Sequence, residues 1–309
     1  MTTLLITHES GLRHATPAGH PERADRLRAI ARMLEREEFA TLAREQAPEA
    51  EIEAITRVHP LEYVEHLRDA VPATGVARLD ADTSLSAESW EPILRAAGGA
   101  VFAVDEVMTG RAANAFVAMR PPGHHAETTT PMGFCFINNA AIAARHAQNK
   151  HGSERVAIVD FDVHHGNGSQ EIFWSDASVM YCSTHQMPLY PGTGARSERG
   201  AHDTIVNAPL SPGDGGAEFM EAFETVILPR LDRFRPDLIV VSAGFDAHAR
   251  DPLANLNLTE ADFGWVTRKL MGIADRHAKG RLVSVLEGGY DLEGLARSVG
   301  AHVTALMRG

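Results

Sequence analysis

Six short runs rich in apolar and β-branched residues recur along the 309-residue chain: TLLITH (3–8), NAFVAM (114–119), RVAIVDF (155–161), SVMYCST (178–184), DLIVVSAG (237–244) and RLVSVLEGG (281–289). Several are apolar at nearly every position. A strand with one face in water alternates apolar and polar side chains; a strand covered on both faces, as in a parallel sheet, does not. Stretches with helical spacing separate the runs. HPERADRLRAIARMLEREE carries Leu27, Ile30, Ala31 and Leu34, with Pro21 near its start; SAESWEPILRAAGGAVFAVDEVMTG ends at Gly110; NNAAIAARHAQNKHG ends at Gly152 as a C-terminal stop. AEFMEAFETVILPRLDRF follows the Gly-rich SPGDGG, LTEADFGWVTRKLMGIADRHAKG opens on Thr259 as an N-cap, and LEGLARSVGAHVTALMRG comes last. Gly98, Gly99 and Gly264 interrupt two of these helical patterns. Strands alternating with helices predict one α/β domain over residues 1–309 around a mainly parallel sheet.

Charge and cysteine usage narrow the function. Lys plus Arg number 29 against 41 Asp plus Glu, a net charge of −12, with no basic run long enough to follow a phosphate backbone. Nucleic-acid binding, which draws on Lys and Arg, is therefore not expected; an acidic surface tolerates cationic substrates. Cys135 and Cys182 form no CxxC pair, so neither a disulfide framework nor a thiolate zinc site is predicted, and both are read as buried thiols. MTTLLITHES lacks the basic and long apolar segments of a secretory signal. No apolar run approaches the roughly 20 residues of a membrane-spanning helix. A soluble, cytoplasmic protein is expected.

In open α/β sheets, ligands bind beyond the carboxyl ends of the strands. NAFVAM is followed by RPPGHHAE, with His124 and His125; RVAIVDF by Asp162, His164 and His165, with Asp160 just before; DLIVVSAG by Asp246; RLVSVLEGG by Tyr290. Four strands thus deliver His, Asp or Tyr to one edge. Alternation along an extended chain would put Asp160, Asp162 and His164 on one side. Asp162 and His164 then suit one cation, with Asp246 completing a triad. Two carboxylates and an imidazole fit Zn²⁺ with an open position for water; Fe²⁺ and Mn²⁺ take the same donors. A DxH pair alone reads equally well as structural hydrogen bonding, and the metal reading rests on Asp246 and the His pair arriving with it. His8, His14 and His20 are read as loop residues with surface or structural roles, His165 as a structural hydrogen-bonding residue, and Trp90, Trp174 and Trp265 as packing residues.

RPPGHHAE, GFCFINNAA, VDFDVHHGNGSQ, YPGTG, SAGFDAHARDPL and LEGGYDLEGLA, with the early HPERADRL, resemble the histone deacetylase superfamily, in particular class II enzymes and bacterial deacetylase-like amidohydrolases. The matches run from about residue 20 to 295. The resemblance implies the arginase–deacetylase fold, a central, mainly parallel eight-stranded sheet flanked by helices. It also implies roles: Asp162, His164 and Asp246 as zinc ligands, His124 and His125 as tandem catalytic histidines, and Tyr290 as the catalytic tyrosine. Asp160 would partner His124, and Asn167 would partner His125. Gly133, Phe134 and Tyr190 would wall an acyl-lysine tunnel, with Asp82 at its rim. A structural potassium ion would lie among Asp160, Asp162, His164, Ser183 and Thr184.

The expected chemistry is metal-assisted amide hydrolysis. A bound cation supplies Lewis acidity and an acidified water. His125 takes a proton and returns one to the leaving amine, Tyr290 donates to the oxyanion, and Gly288 and Gly289 give the backbone freedom to aim it. Tyr290 stands where weakly active class IIa members carry His. Leu253 stands where a polyamine-selective relative carries Glu, which favours acetyl-lysine in proteins or peptides over acetylpolyamines or other small amides. Two further readings are a non-catalytic acyl-lysine binding module, which needs no general base, and a two-manganese ureohydrolase, which needs more Asp ligands than DFDVHHGNG supplies. Residues 72–90 and 186–202 are expected to shape the entrance. The sequence leaves homo-oligomerisation open.

Overall fold

A computed structural model describes residues 2–308. Its strands are β1 (Thr3–Thr7), β2 (Ala43–Gln46), β3 (Val76–Arg78), β4 (Ser84–Ser86), β5 (Asn114–Val117), β6 (Val156–Asp160), β7 (Val179–Gln186), β8 (Ile205–Leu210), β9 (Leu238–Ala243) and β10 (Leu282–Leu286). The helices are α1 (Asp25–Leu34), α2 (Ile52–Ile55), α3 (Leu61–Asp69), α4 (Trp90–Met108), α5 (Asn139–His151), α6 (Asn167–Phe173), α7 (Gly216–Ala222), α8 (Leu228–Phe234), α9 (Glu260–His277) and α10 (Leu292–Arg308). Eight strands form one sheet in the order β2-β1-β5-β10-β9-β6-β7-β8. Every pair in it is parallel. β3 and β4 form a separate antiparallel hairpin.

The unbroken apolar runs have a direct cause. Successive strand residues point to opposite faces, and both faces are covered. Val159 and Val241 enter one core with Leu27 of α1, Val266 of α9 and Val299 of α10. Ile158 and Val240 enter the other with Val64 of α3, Ile93 of α4 and Ala141 of α5. The sequence reading missed both edge strands. β2 is AREQ and largely exposed, and β8, IVNAPL, carries an Asn and a Pro, which an edge tolerates.

Helix ends follow local chemistry. The Asn138 side chain accepts the Ala141 N–H at the start of α5, and Gly152 closes it in the left-handed conformation at φ 68°. Thr259 and Asp262 cap α9 reciprocally. Gly98 and Gly99 do not break α4: a Cβ on Gly98 would overlap the Pro48–Ala50 backbone, so glycine lets that segment lie against the helix. The stretch 217–234 is one continuous rod, with a π-helical turn at Phe223–Ile227 between α7 and α8. Trp174 departs from its packing expectation, standing 40% exposed at the end of α6, where its backbone N–H caps the helix on Glu171 O.

Candidate active site

β6 ends at Asp160, and the chain then turns rather than continuing the pleat. The expected strand alternation is therefore corrected: Asp160, Asp162 and His164 are linked through a turn, in which Asp160 Oδ1 accepts the Asp162 N–H at 3.1 Å and Asp162 Oδ1 accepts the His164 N–H at 2.9 Å. The turn still brings the donors together. His164 Nδ1 lies 3.1 Å from Asp162 Oδ1 and 3.1 Å from Asp246 Oδ2, and one donor atom from each of the three residues falls within 4.8 Å of the others.

The backbone holds the carboxylates from behind. Gly288 N–H donates to Asp162 Oδ2 at 2.8 Å, and Val163 N–H to Asp246 Oδ1 at 2.8 Å. A Cβ on Gly244 would overlap the Asp162 carboxylate, and one on Gly288 would overlap that of Asp246, so two glycines clear the space these acids occupy. Burial and the neighbouring charge of Asp162 raise Asp246 above the ordinary carboxylate range. Burial disfavours charge on His164, yet its bonds to Asp162 and Asp246 raise it to about 10. Two buried carboxylates drawing so hard on one imidazole call for positive charge at this point, and the donor set fits a divalent ion.

A second group, Asp105, His146 and His151, also clusters. Both Nε2 atoms meet Asp105 Oδ1, at 2.8 and 2.7 Å, but Arg57 donates to His146 Nδ1 at 3.2 Å. That leaves the His146 proton on Nε2, facing Asp105. The group is complete as a hydrogen-bonded chain tying α4 to α5.

The His pair sits beside the triad. His124 Nδ1 donates to Asp160 Oδ2 at 2.9 Å, and the same oxygen accepts the Tyr181 hydroxyl at 3.0 Å. Burial opposes charge on His124, but Asp160, Asp162 and Glu287 hold it well above the ordinary imidazole range. His125 Nδ1 donates to Asn167 Oδ1 at 2.9 Å. Burial and the nearby His124 and His164 push His125 well below that range. Burial and the Asp246 carboxylate raise the Tyr290 phenol well above its usual value, so it stays protonated.

A cavity of about 260 Å³ opens onto these groups, lined by Asp82, His125, Gly133, Phe134, His164, Leu189, Tyr190, Leu253 and Tyr290. All five residues expected to touch substrate therefore lie around one opening, with Leu189 added. Asp82 comes from the hairpin between β3 and β4. Gly133 and Phe134 take positive φ values of 56° and 69°, and a Cβ on Gly133 would strike the His125 ring. His20 is not a free surface residue: its ring packs edge-on against Phe134, with centroids 4.6 Å apart. His14 is buried, with Nδ1 2.7 Å from Ser89 Oγ. His165 Nδ1 lies 2.8 Å from Thr193 Oγ1.

At the expected potassium position, Asp160 pairs in register with Ser183 of β7. The Thr184 hydroxyl is buried without a hydrogen-bond partner, whereas Ser183 Oγ already meets His185 Nδ1 at 2.8 Å. The orphaned Thr184 oxygen fits a monovalent cation; the engaged Ser183 hydroxyl adds nothing to that fit.

Several site residues were missed from sequence. Arg26 is fully buried and donates to Gly289 O at 2.6 Å, Glu287 O at 2.5 Å and Glu22 Oε1 at 3.0 Å. Its guanidinium lies 5.0 Å from the Tyr290 ring centroid. Glu22 also pairs with buried Arg120. Glu287 accepts the N–H groups of Gly123 and His124 at 2.6 and 3.1 Å, and burial raises it to about 7. Asp251 accepts the Tyr290 N–H at 2.7 Å, and Glu127 accepts from Asn167 Nδ2 at 2.8 Å. Only Arg26 left a usable signal, lying next to Leu27 on the apolar side of α1.

Residues 20–306 match the family model described as the histone deacetylase domain. The chain is 40% identical to a probable deacetylase of Archaeoglobus fulgidus, across 100% of this chain and 87% of that one. It is 42% identical to a histone deacetylase-like amidohydrolase of Pseudomonas aeruginosa, across 88% of this chain and 73% of the relative. Among solved structures, the HDA15 HD domain superposes with a TM-score of 0.94 at 37% identity, covering 99% of this chain and 88% of the other.

Proposed function

Taking as premise that the chain belongs to the histone deacetylase family and is a hydrolase acting on amides, we propose that it removes acetyl groups from lysine side chains of proteins or peptides. Asp162, His164 and Asp246 would hold one Zn²⁺, with Fe²⁺ the alternative occupant. The observation that carries the reading is the meeting of this triad with His125 and Tyr290 at a single cavity. The bound ion would supply Lewis acidity toward the acetyl carbonyl and acidify a water.

The chain's own groups do the rest. His125, with its proton on Nδ1 toward Asn167, keeps Nε2 free to take a proton from the attacking water. It returns a proton to the leaving amine, which an alkylamide requires because an amide anion departs so poorly. His124, held charged by Asp160, keeps positive charge next to the developing oxyanion. Tyr290 donates its phenolic proton in a hydrogen bond to that oxyanion, a contribution worth ~10²–10³ in rate when such donors are removed. Phe134, Tyr190, Leu189 and Leu253 exclude water from the methylene chain, and Asp82 at the mouth accepts from substrate backbone. A potassium ion near Thr184 would brace the turn that carries Asp162. We take residues 1–309 as one catalytic domain acting in the cytoplasm. No helix among the described residues is long and apolar enough to cross a membrane.

Asp82 at the mouth also favours a second reading, hydrolysis of an acetylpolyamine, whose distal ammonium an acid attracts. Apolar Leu253 in the wall argues for acetyl-lysine. Comparing kcat/KM for an acetyl-lysine peptide, acetylputrescine and acetylspermidine separates them. The expected result is a preference for the peptide of about tenfold or more, on the order of the one to two kcal/mol that one pocket contact contributes. A preference for either polyamine overturns the lysine assignment, and failure to hydrolyse any of the three supports a binding module instead.

A further inference from the structure

We propose that Glu127 is a positioning residue: acting through the side-chain amide of Asn167, it fixes His125 in the tautomer that carries its proton on Nδ1. Asn167 has two chemically different ends. Its Oδ1 faces His125 Nδ1 at 2.9 Å. Its Nδ2 faces Glu127 Oε1 at 2.8 Å, Met132 Sδ at 3.3 Å and His125 O at 3.5 Å. A carboxylate, a thioether and a carbonyl accept hydrogen bonds and cannot donate them. Turning the amide over would set Oδ1 against all three, with the closest contact oxygen against a carboxylate oxygen. Glu127 therefore decides which end of Asn167 meets the imidazole. With an oxygen there, His125 Nδ1 must donate, and the free lone pair is left on Nε2.

The loop is built to place this carboxylate. Ala126 N–H bonds to Gly123 O at 3.0 Å, and Glu127 N–H to Thr130 O at 3.0 Å, so two tight turns flank it. Among the described residues, Asn167 is the side-chain hydrogen-bond partner of the Glu127 carboxylate. The contrast with His124 shows what the amide achieves. There a carboxylate touches the imidazole directly and favours the imidazolium. Here the carboxylate is one amide further away. It orients the ring without the direct ion pair, and His125 remains the neutral member of the pair.

The inference deepens the deacetylase reading and rests on it for its kinetic arm; the tautomer arm needs no turnover. The test uses the zinc-loaded full chain labelled with [¹⁵N]histidine. Long-range ¹H–¹⁵N spectra distinguish Nδ1–H from Nε2–H imidazoles, and the signals lost in His125→Ala identify His125. Wild type is expected to show the Nδ1–H pattern. Glu127→Leu should show a mixture or the Nε2–H form, with kcat on an acetyl-lysine peptide lowered about tenfold, the scale of one charge-assisted hydrogen bond, and KM little changed. Glu127→Gln keeps an accepting oxygen, so it should restore both the Nδ1–H pattern and most of kcat; it also serves as the folded control. An unchanged Nδ1–H pattern in Glu127→Leu overturns the proposal, as does a Glu127→Gln variant no better than Glu127→Leu. If wild type hydrolyses none of the acetylamides, the deacetylase reading fails while the tautomer comparison still decides this one.

Discussion

His124 and His125 adjoin in sequence, and their ring centroids lie 4.0 Å apart, yet one bonds to a buried carboxylate and the other to an amide. A carboxylate partner stabilises the imidazolium by direct charge attraction, whereas an amide oxygen orients the ring with a weaker pull. Asn167→Asp should therefore raise the pKa of His125. Because the base proposed here must be unprotonated, activity would then be lost at higher pH than in wild type. The acidic limb of the kcat/KM profile is expected to move upward by about one unit or more, the usual scale for a carboxylate beside an imidazole; an unmoved limb removes His125 from the role of base. At this scale the legible residues were those whose types announce chemistry, His, Asp and Tyr placed just beyond apolar runs. Glu127 and Glu287 were not legible, and Arg26 only through its place beside Leu27, because a charged residue between helical or loop neighbours reads as solvent-facing until tertiary packing buries it. Glu22 and Arg26 are an example: four apart in sequence, they resemble an ordinary surface pair but are both fully buried.

Among the elements, α10 shows how a helix is fixed to the sheet by more than apolar contact. Its His302 is fully buried, with Nδ1 2.7 Å from Thr267 Oγ1 on α9 and Nε2 2.9 Å from Ser284 Oγ on β10. Burial lowers its pKa from 6.5 to about 3. The folded state thus binds this proton less readily than the unfolded chain does. Its effect on stability is nil above about pH 6.5 and grows unfavourable as pH falls toward 3, by up to ~1.4 kcal/mol per pH unit. His302→Gln should be less stable than wild type at pH 7, by roughly 1–3 kcal/mol for disturbed buried hydrogen bonds. The gap should narrow by about 2–3 kcal/mol on going to pH 4.5. Urea denaturation at the two pH values measures this, and a constant gap would show that His302 is not buried neutral. Central strands were readable as unbroken apolar runs, and long helices by their own periodicity. β2 and β8 were not, since an edge strand needs less apolar surface, and the short helices α2 and α6 are too brief to show a period.

Across the molecule, one sheet divides two cores, and its carboxyl edge gathers side chains from β5, β6, β9 and β10, the strands at the centre of the order. That convergence was readable because parallel strands all end on the same side. The turn that carries Asp162 and His164 was not, since alternation implies an extended chain past Asp160. The eight-stranded architecture came from the family resemblance, and the superposition on the HDA15 HD domain agrees with it. The central claim is that Asp162, His164 and Asp246 hold a single divalent ion on which deacetylation depends. It is tested most directly by metal content per chain, determined by mass spectrometry after exhaustive dialysis on wild type, Asp162→Asn and Asp246→Asn, with turnover of an acetyl-lysine peptide read on the same samples. The account predicts about one ion in wild type, little in either variant because a carboxylate ligand is lost, and activity that falls with the metal. A wild-type chain that hydrolyses the peptide without metal, or variants that keep their ion, would contradict it.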